Sequence, residues 1–167
     1  MSTSFSFQKN GSDVQDLVLT AADFVSGAWH SDAVSTSNDT RVVANIVYKD
    51  LNPDGSDVAV DYRLQAVLEG KDSNGTWMPL VKQFTPHFRS ESADTRRLIV
   101  SDQPTGYDPA VNTIIPDALG NESIEISTAN DDIPAEVRIC VVLGDVNSSP
   151  PKAALTSFKL TATGSKG

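Results

Sequence analysis

The sequence holds one cysteine and two histidines in 167 residues. A lone thiol, Cys140, closes no internal disulfide, and so few soft ligands leave little for a His-rich metal site or a Cys-based redox pair. Cations are also scarce. Thirteen Lys and Arg stand against 22 Asp and Glu, a formal charge of −9. That balance excludes a backbone-reading nucleic-acid binder, which needs clustered positive charge. No apolar run approaches the roughly 20 residues that cross a bilayer, so neither nucleic acid nor membrane is an expected partner. Met1-Ser2-Thr3-Ser4-Phe5-Ser6-Phe7 has no basic or apolar leader segment, so the expectation is a chain with no signal peptide, folded in a reducing cytoplasm. The five Asn-x-Ser/Thr sequons, at Asn10, Asn38, Asn74, Asn121 and Asn147, then read as turns rather than glycan sites. Internal repeats, heptads and amphipathic helices are missing as well.

What is present is alternation with period two, the mark of half-buried strands. In residues 58–69, Val58, Val60, Tyr62, Leu64, Ala66 and Leu68 share one face, and Asp61, Arg63, Gln65 and Glu69 the other. Residues 40–49 place Val42, Ala44, Ile46 and Tyr48 against Arg41, Asn45 and Lys49. A turn-rich connection, Asp50-Leu51-Asn52-Pro53-Asp54-Gly55-Ser56-Asp57, suggests that these two strands pair as a long hairpin. Asn74-Gly75 accepts the positive φ angles of a tight turn, and Pro79 in the strand that follows, residues 76–84, predicts a sheet edge, because proline cannot donate to a ladder. Further strands are expected at 4–8, 16–20, 96–101, 123–128, 135–143 and 154–163, with short helices only at 20–26 and 108–112. The expected fold is an all-β antiparallel two-sheet sandwich of jelly-roll type, with eight or nine strands. Residues 1–10 form an N-terminal arm or first strand, and 11–167 a single domain.

Residues 102–122 interrupt the pattern with Pro104, Gly106, Pro109, Pro116 and Gly120, and read as one long irregular loop. From Leu98 to Val137 there are eight acids and no Lys or Arg, whereas Lys82, Arg89, Arg96 and Arg97 lie just upstream. Two readings stand: solvated loops that keep the protein soluble, or electrostatic matching to a neighbouring copy or a partner.

Four constellations touch on chemistry. Asp50, Asn52 and Asp54, followed by Gly55 and by Asp57 and Asp61, resemble the first half of a calcium loop, with hard oxygens converging around a glycine turn. Asp61 stands where the longer Glu closes such a loop, Pro53 intrudes, and strands flank it, so a structural turn is the expected reading and no metal or cofactor is expected. Trp29-His30-Ser31-Asp32 contains nucleophile, base and acid, but neighbours on an extended chain point apart. No Gly-x-Ser-x-Gly, His-Glu-x-x-His or phosphate-cradling loop occurs, and the protein is not expected to be an enzyme. Cys140 lies in Val137-Arg138-Ile139-Cys140-Val141-Val142-Leu143, on the face opposite Val137, Ile139, Val141 and Leu143, with no His neighbour in sequence. It reads as a small apolar filler. Trp29, Trp77 and Tyr107 could stack against sugar rings if exposed, although an aromatic just past a turn commonly packs across its own hairpin.

The stretch from Tyr62 to Trp77, Tyr-Arg-Leu-Gln-Ala-Val-Leu-Glu-Gly-Lys-Asp-Ser-Asn-Gly-Thr-Trp, resembles a strand–turn–strand pattern of small β-sandwich proteins in tailed-bacteriophage virions. The resemblance implies a capsid decoration (cement) or tail accessory protein, located in the virion and assembled in the host cytoplasm. Its implied partners are capsid or other virion proteins and further copies of itself, as a dimer or trimer. The residues expected to make those contacts are Phe5 and Phe7 in the arm and Tyr107, Ile114, Ile115 and Leu119 in the loop. A carbohydrate-binding, lectin-like module is the alternative.

Overall fold

Alternating apolar side chains bury one face of an extended chain, and two such faces closed on each other make a core. The computed structural model realises this with strands β1 (Thr3–Ser6), β2 (Gln8–Lys9), β3 (Ser12–Asp13), β4 (Leu17–Leu19), β5 (Ala28–His30), β6 (Val34–Ser35) and β7 (Arg41–Asp50). The second half of the chain adds β8 (Tyr62–Lys71), β9 (Trp77–Phe84), β10 (Asp94–Ser101), β11 (Thr113–Pro116), β12 (Ser123–Asn130), β13 (Glu136–Asp145) and β14 (Phe158–Lys166). The structure describes residues 2–50, 62–84, 94–102, 113–116, 123–130, 132–145 and 158–167. Among them the only helical element is a 3-10 turn at Ala21–Asp23, within the segment 20–26 where a short helix was expected; 108–112 lies outside the described residues.

A seven-stranded sheet runs β1-β14-β7-β10-β12-β11, with β4 also on β14, and a five-stranded sheet runs β5-β13-β8-β9, with β6 also on β13. Val42, Ala44, Ile46 and Tyr48 of β7, Leu98 and Val100 of β10, and Leu160 and Ala162 of β14 are fully enclosed. They join Ala66, Leu68, Val137, Ile139 and Val141 of the smaller sheet in one core. Each fully buried Leu, Ile or Val contributes about 1.5–3 kcal/mol of transfer free energy, so this shared face is what holds the sheets together.

Several expectations are corrected. Twelve strands build the two large sheets and two more form a ribbon, fourteen among the described residues instead of eight or nine. The fold is all-β and mostly antiparallel, but β10 and β12 run parallel. The strands of 40–49 and 58–69 do not form a hairpin. Both edges of β7 are taken by β14 and β10, and those of β8 by β13 and β9. The two strands lie in different sheets and feed alternate apolar side chains into the shared core, Val42, Ala44, Ile46 and Tyr48 from β7 and Ala66 and Leu68 from β8. The supposed loop of 102–122 contains β11, hydrogen-bonded antiparallel to β12. Residues 3–6, within the segment expected as an arm or first strand, are a strand paired with β14 and so are not among these corrections.

The turns differ too. Between β8 and β9 only Gly75 has positive φ (82°). The turn is held by Asp72 Oδ1, which accepts from the amides of Asn74 (2.9 Å) and Thr76 (2.7 Å). A tight two-residue turn occurs instead at Asn10-Gly11, with φ of 51° and 77°, joining β2 to β3. The strand carrying Pro79, β9, ends the five-stranded sheet, and its register slips between Leu68 and Glu69 beside that proline.

Candidate functional site

On β13, Val137, Ile139 and Val141 face the core, so Arg138 and Cys140 must face outward. The register then sets His30 of β5 beside Cys140, and Glu69 of β8 beside Arg138. Three adjacent strands thereby bring together residues 110 and 71 positions before Cys140, a juxtaposition that spacing in the sequence does not announce. The ligating atoms of His30, Glu69 and Cys140 lie within 4.8 Å of one another. His30 Nε2 is 3.8 Å from Glu69 Oε2, and Arg138 Nε donates to that same oxygen at 2.6 Å. The Arg138 guanidinium stacks 4.2 Å from the Trp77 ring centre, while Lys71, 5.6 Å from that ring, donates to Glu136 at 2.8 Å. Lys9 donates to the His30 carbonyl at 2.6 Å.

Burial first, then the Arg138 charge and more weakly Lys9, hold His30 below the ordinary histidine value of 6.5, against the opposing pull of Glu69. Burial, helped by Glu69, pushes the Cys140 thiol up to about 12. A thiol that stays protonated at neutral pH is a poor nucleophile, so the Cys–His pair is not an activated one of the kind that performs acyl transfer. The His30 shift has a consequence for stability. Folding disfavours the imidazolium, so the unfolded chain binds the proton more readily. Stability from this group is complete above pH 6.5 and is lost as pH falls from there through the lowered folded value. Melting temperatures measured from pH 8 to pH 5 should fall more steeply for wild type than for His30→Gln; equal slopes would contradict the assignment.

The other expected site residues fare differently. Trp29 is buried, so it offers no platform for a sugar, and the Arg138 guanidinium lies over the Trp77 ring. Ser31 is buried, accepting from the Ile139 amide and donating to the Asp32 carbonyl, both at 3.0 Å. Asp32 accepts from the Gly11 amide at 2.8 Å, which holds its carboxyl below the usual range. His30, Ser31 and Asp32 therefore serve separate surroundings. Phe7 is fully enclosed in the core, and that removes it from the expected contact residues. Phe5 is half-buried, edge-on to Phe7 at 4.9 Å. Ile114 and Ile115 lie in β11. Tyr107 and Leu119 fall outside the described residues, as do Asn52, Asp54, Asp57 and Asp61 of the calcium-like loop; Asp50 is the last residue of β7. Arg96, assigned by the sequence to a basic section, is fully buried.

The outward face of the larger sheet carries a groove of about 460 Å³ that includes Arg41, Asn45, Arg97 and Lys166. Arg97 donates to Asn45 Oδ1 at 2.7 Å, and Lys166 pairs with Asp39 at 3.5 Å and donates to the Ser35 carbonyl. Two of its cations are thus engaged within the chain.

No protein-family model matches the chain. No curated protein matches it either. Among solved structures it is similar to a chain in the structure of the Gx strain of infectious bursal disease virus, at 10% identity and a TM-score of 0.48. The match covers 99% of this chain but 31% of that one, so the protein spans about a third of its length. A TM-score at that level carries nothing over to this chain.

Proposed function

We propose that the protein is a non-enzymatic virion structural protein, acting as a capsid decoration protein that binds the outer shell. The observation that supports this most is the contrast between two sheet edges. The smaller sheet ends on β9, which Pro79 and a register slip make a poor template for another strand. The larger sheet ends on β11, Thr-Ile-Ile-Pro, bonded among the described strands to β12 alone. It carries no charge, and only its last residue lacks an amide donor. Such an edge suits strand addition from another chain, where main-chain bonds supply affinity and side chains supply selectivity. The hairpin β8–β9, which carries the likeness to small phage virion proteins, adopts the strand–turn–strand form that likeness implies.

The test is co-sedimentation with emptied heads of the tailed phage whose genome carries the gene. The protein is expected to pellet with heads at a saturating ratio, and Ile115→Lys, which puts a charge on that uncharged edge strand, to reduce that binding at least tenfold. Absence of pelleting, together with glycan-array binding lost on Trp77→Ala, would replace this reading with the carbohydrate-binding one.

A further inference from the structure

We propose that His30, Glu69 and Cys140 form a binding site for one thiophilic divalent ion of the zinc class, bridging three neighbouring strands of the five-stranded sheet. This goes beyond the decoration reading and stands or falls separately from it. The donor set is one nitrogen, one oxygen and one sulfur, a combination that suits zinc and not calcium or magnesium. Bond lengths of 2.0–2.3 Å at tetrahedral angles put donor atoms roughly 3.3–3.6 Å apart. His30 Nε2 and Glu69 Oε2 are already 3.8 Å apart, and all three donors lie within 4.8 Å. An inward movement of about an ångström, within the reach of side-chain rotation, closes the set.

The surroundings fit. Arg138 Nε holds Glu69 Oε2 at 2.6 Å, the kind of outer bond that orients a ligating carboxylate, and a carboxylate oxygen keeps a further lone pair for a metal. Stacking on Trp77 gives the guanidinium its own anchor. His30 is a third exposed on its side chain and Glu69 less so, which leaves a path from solvent and a fourth position for water. Cys140 is buried, which shields the sulfur. Binding breaks the Cys140 S–H bond, forms the sulfur–metal bond and releases that proton to the buffer, while His30 and Glu69 each donate a lone pair without proton loss. One proton leaves per ion, so affinity rises with pH. The ion would tie β5, three residues long and bonded within its sheet to β13, to the centre of that sheet.

Cobalt(II) is the spectroscopic probe and zinc the thermodynamic one, both added to chelator-treated protein. Titration with cobalt is expected to give a thiolate-to-metal charge-transfer band saturating at one ion per chain. Zinc is expected to raise the melting temperature by several degrees at 100-fold excess over its Kd, and calorimetry in two buffers of different ionisation heat to show release of one proton. Cys140→Ser should abolish the thiolate band, and His30→Gln, at a partly exposed position where folding is not at risk, should weaken zinc binding at least tenfold. A missing thiolate band in wild type overturns the proposal, and so does a zinc-induced shift that persists unchanged in His30→Gln, which would assign the ion to surface carboxylates.

Discussion

Replacing Phe7 by Ala is expected to lower stability by about 3–5 kcal/mol, the cost of truncating a fully buried aromatic. For a chain of this size that corresponds to a fall in Tm on the order of 10 °C. Phe7 has no exposed surface and meets Phe5 edge-on at an interplanar angle of 67°. Its backbone is fixed at both ends: the amide donates to the Ala162 carbonyl at 3.0 Å, and its carbonyl accepts from the Val14 amide at 2.7 Å. Removing the ring therefore leaves a cavity that the backbone is not free to fill. Thermal and urea denaturation of the isolated protein measure the effect. An arm reaching out to a partner would give the opposite pattern, unchanged stability and lost assembly, and that outcome would refute the burial of this residue.

The second large effect is expected at Gly164. It pairs directly with Phe5 across β1 and β14, and its face is that of Leu160 and Ala162, toward the core. A Cβ there would stand 2.5 Å from Phe5 Cζ and 2.7 Å from the Val43 carbonyl oxygen. The ring can swing away, but the carbonyl belongs to the β7 ladder and cannot move without disturbing it. Gly164→Ala is expected to cost about 1–3 kcal/mol, the range for overpacking in a filled site. The double variant Phe5→Ala, Gly164→Ala separates the two contacts. Persistent destabilisation beyond that of Phe5→Ala assigns the cost to the backbone of β7, whereas full rescue would assign it to the ring. Chemical denaturation of the four proteins completes the cycle.

Much of the core was legible from local pattern. Val42, Ala44, Ile46 and Tyr48 were placed on one face by alternation alone, and all four are fully buried. The outward direction of Cys140 followed from the same rule, and the edge position of the Pro79 strand from proline's missing amide. Even Arg96 could have been read this way. It lies in phase with Leu98 and Val100, and phase outweighed its charge. Asn10-Gly11 carried the tight-turn signal as plainly as Asn74-Gly75, where Asp72 imposed a different turn by capping two amides.

Composition and period two determine by themselves that this chain makes strands, which side of β7 and β13 is buried, and that the product is a sandwich. They act through neighbours in sequence, where side-chain direction is set by the backbone. Strand partners are another matter. Nothing in residues 40–69 distinguishes a hairpin from two strands in different sheets of one core, because both arrangements bury the same alternate side chains. That choice rests on hydrogen-bond partners far along the chain, β14 and β10 for one strand, β13 and β9 for the other. The meeting of His30, Glu69 and Cys140 was decided at the same level. Register, which shifts every contact when it slips by one residue, is a property of the assembled sheet, and only the tertiary structure put those three donors side by side.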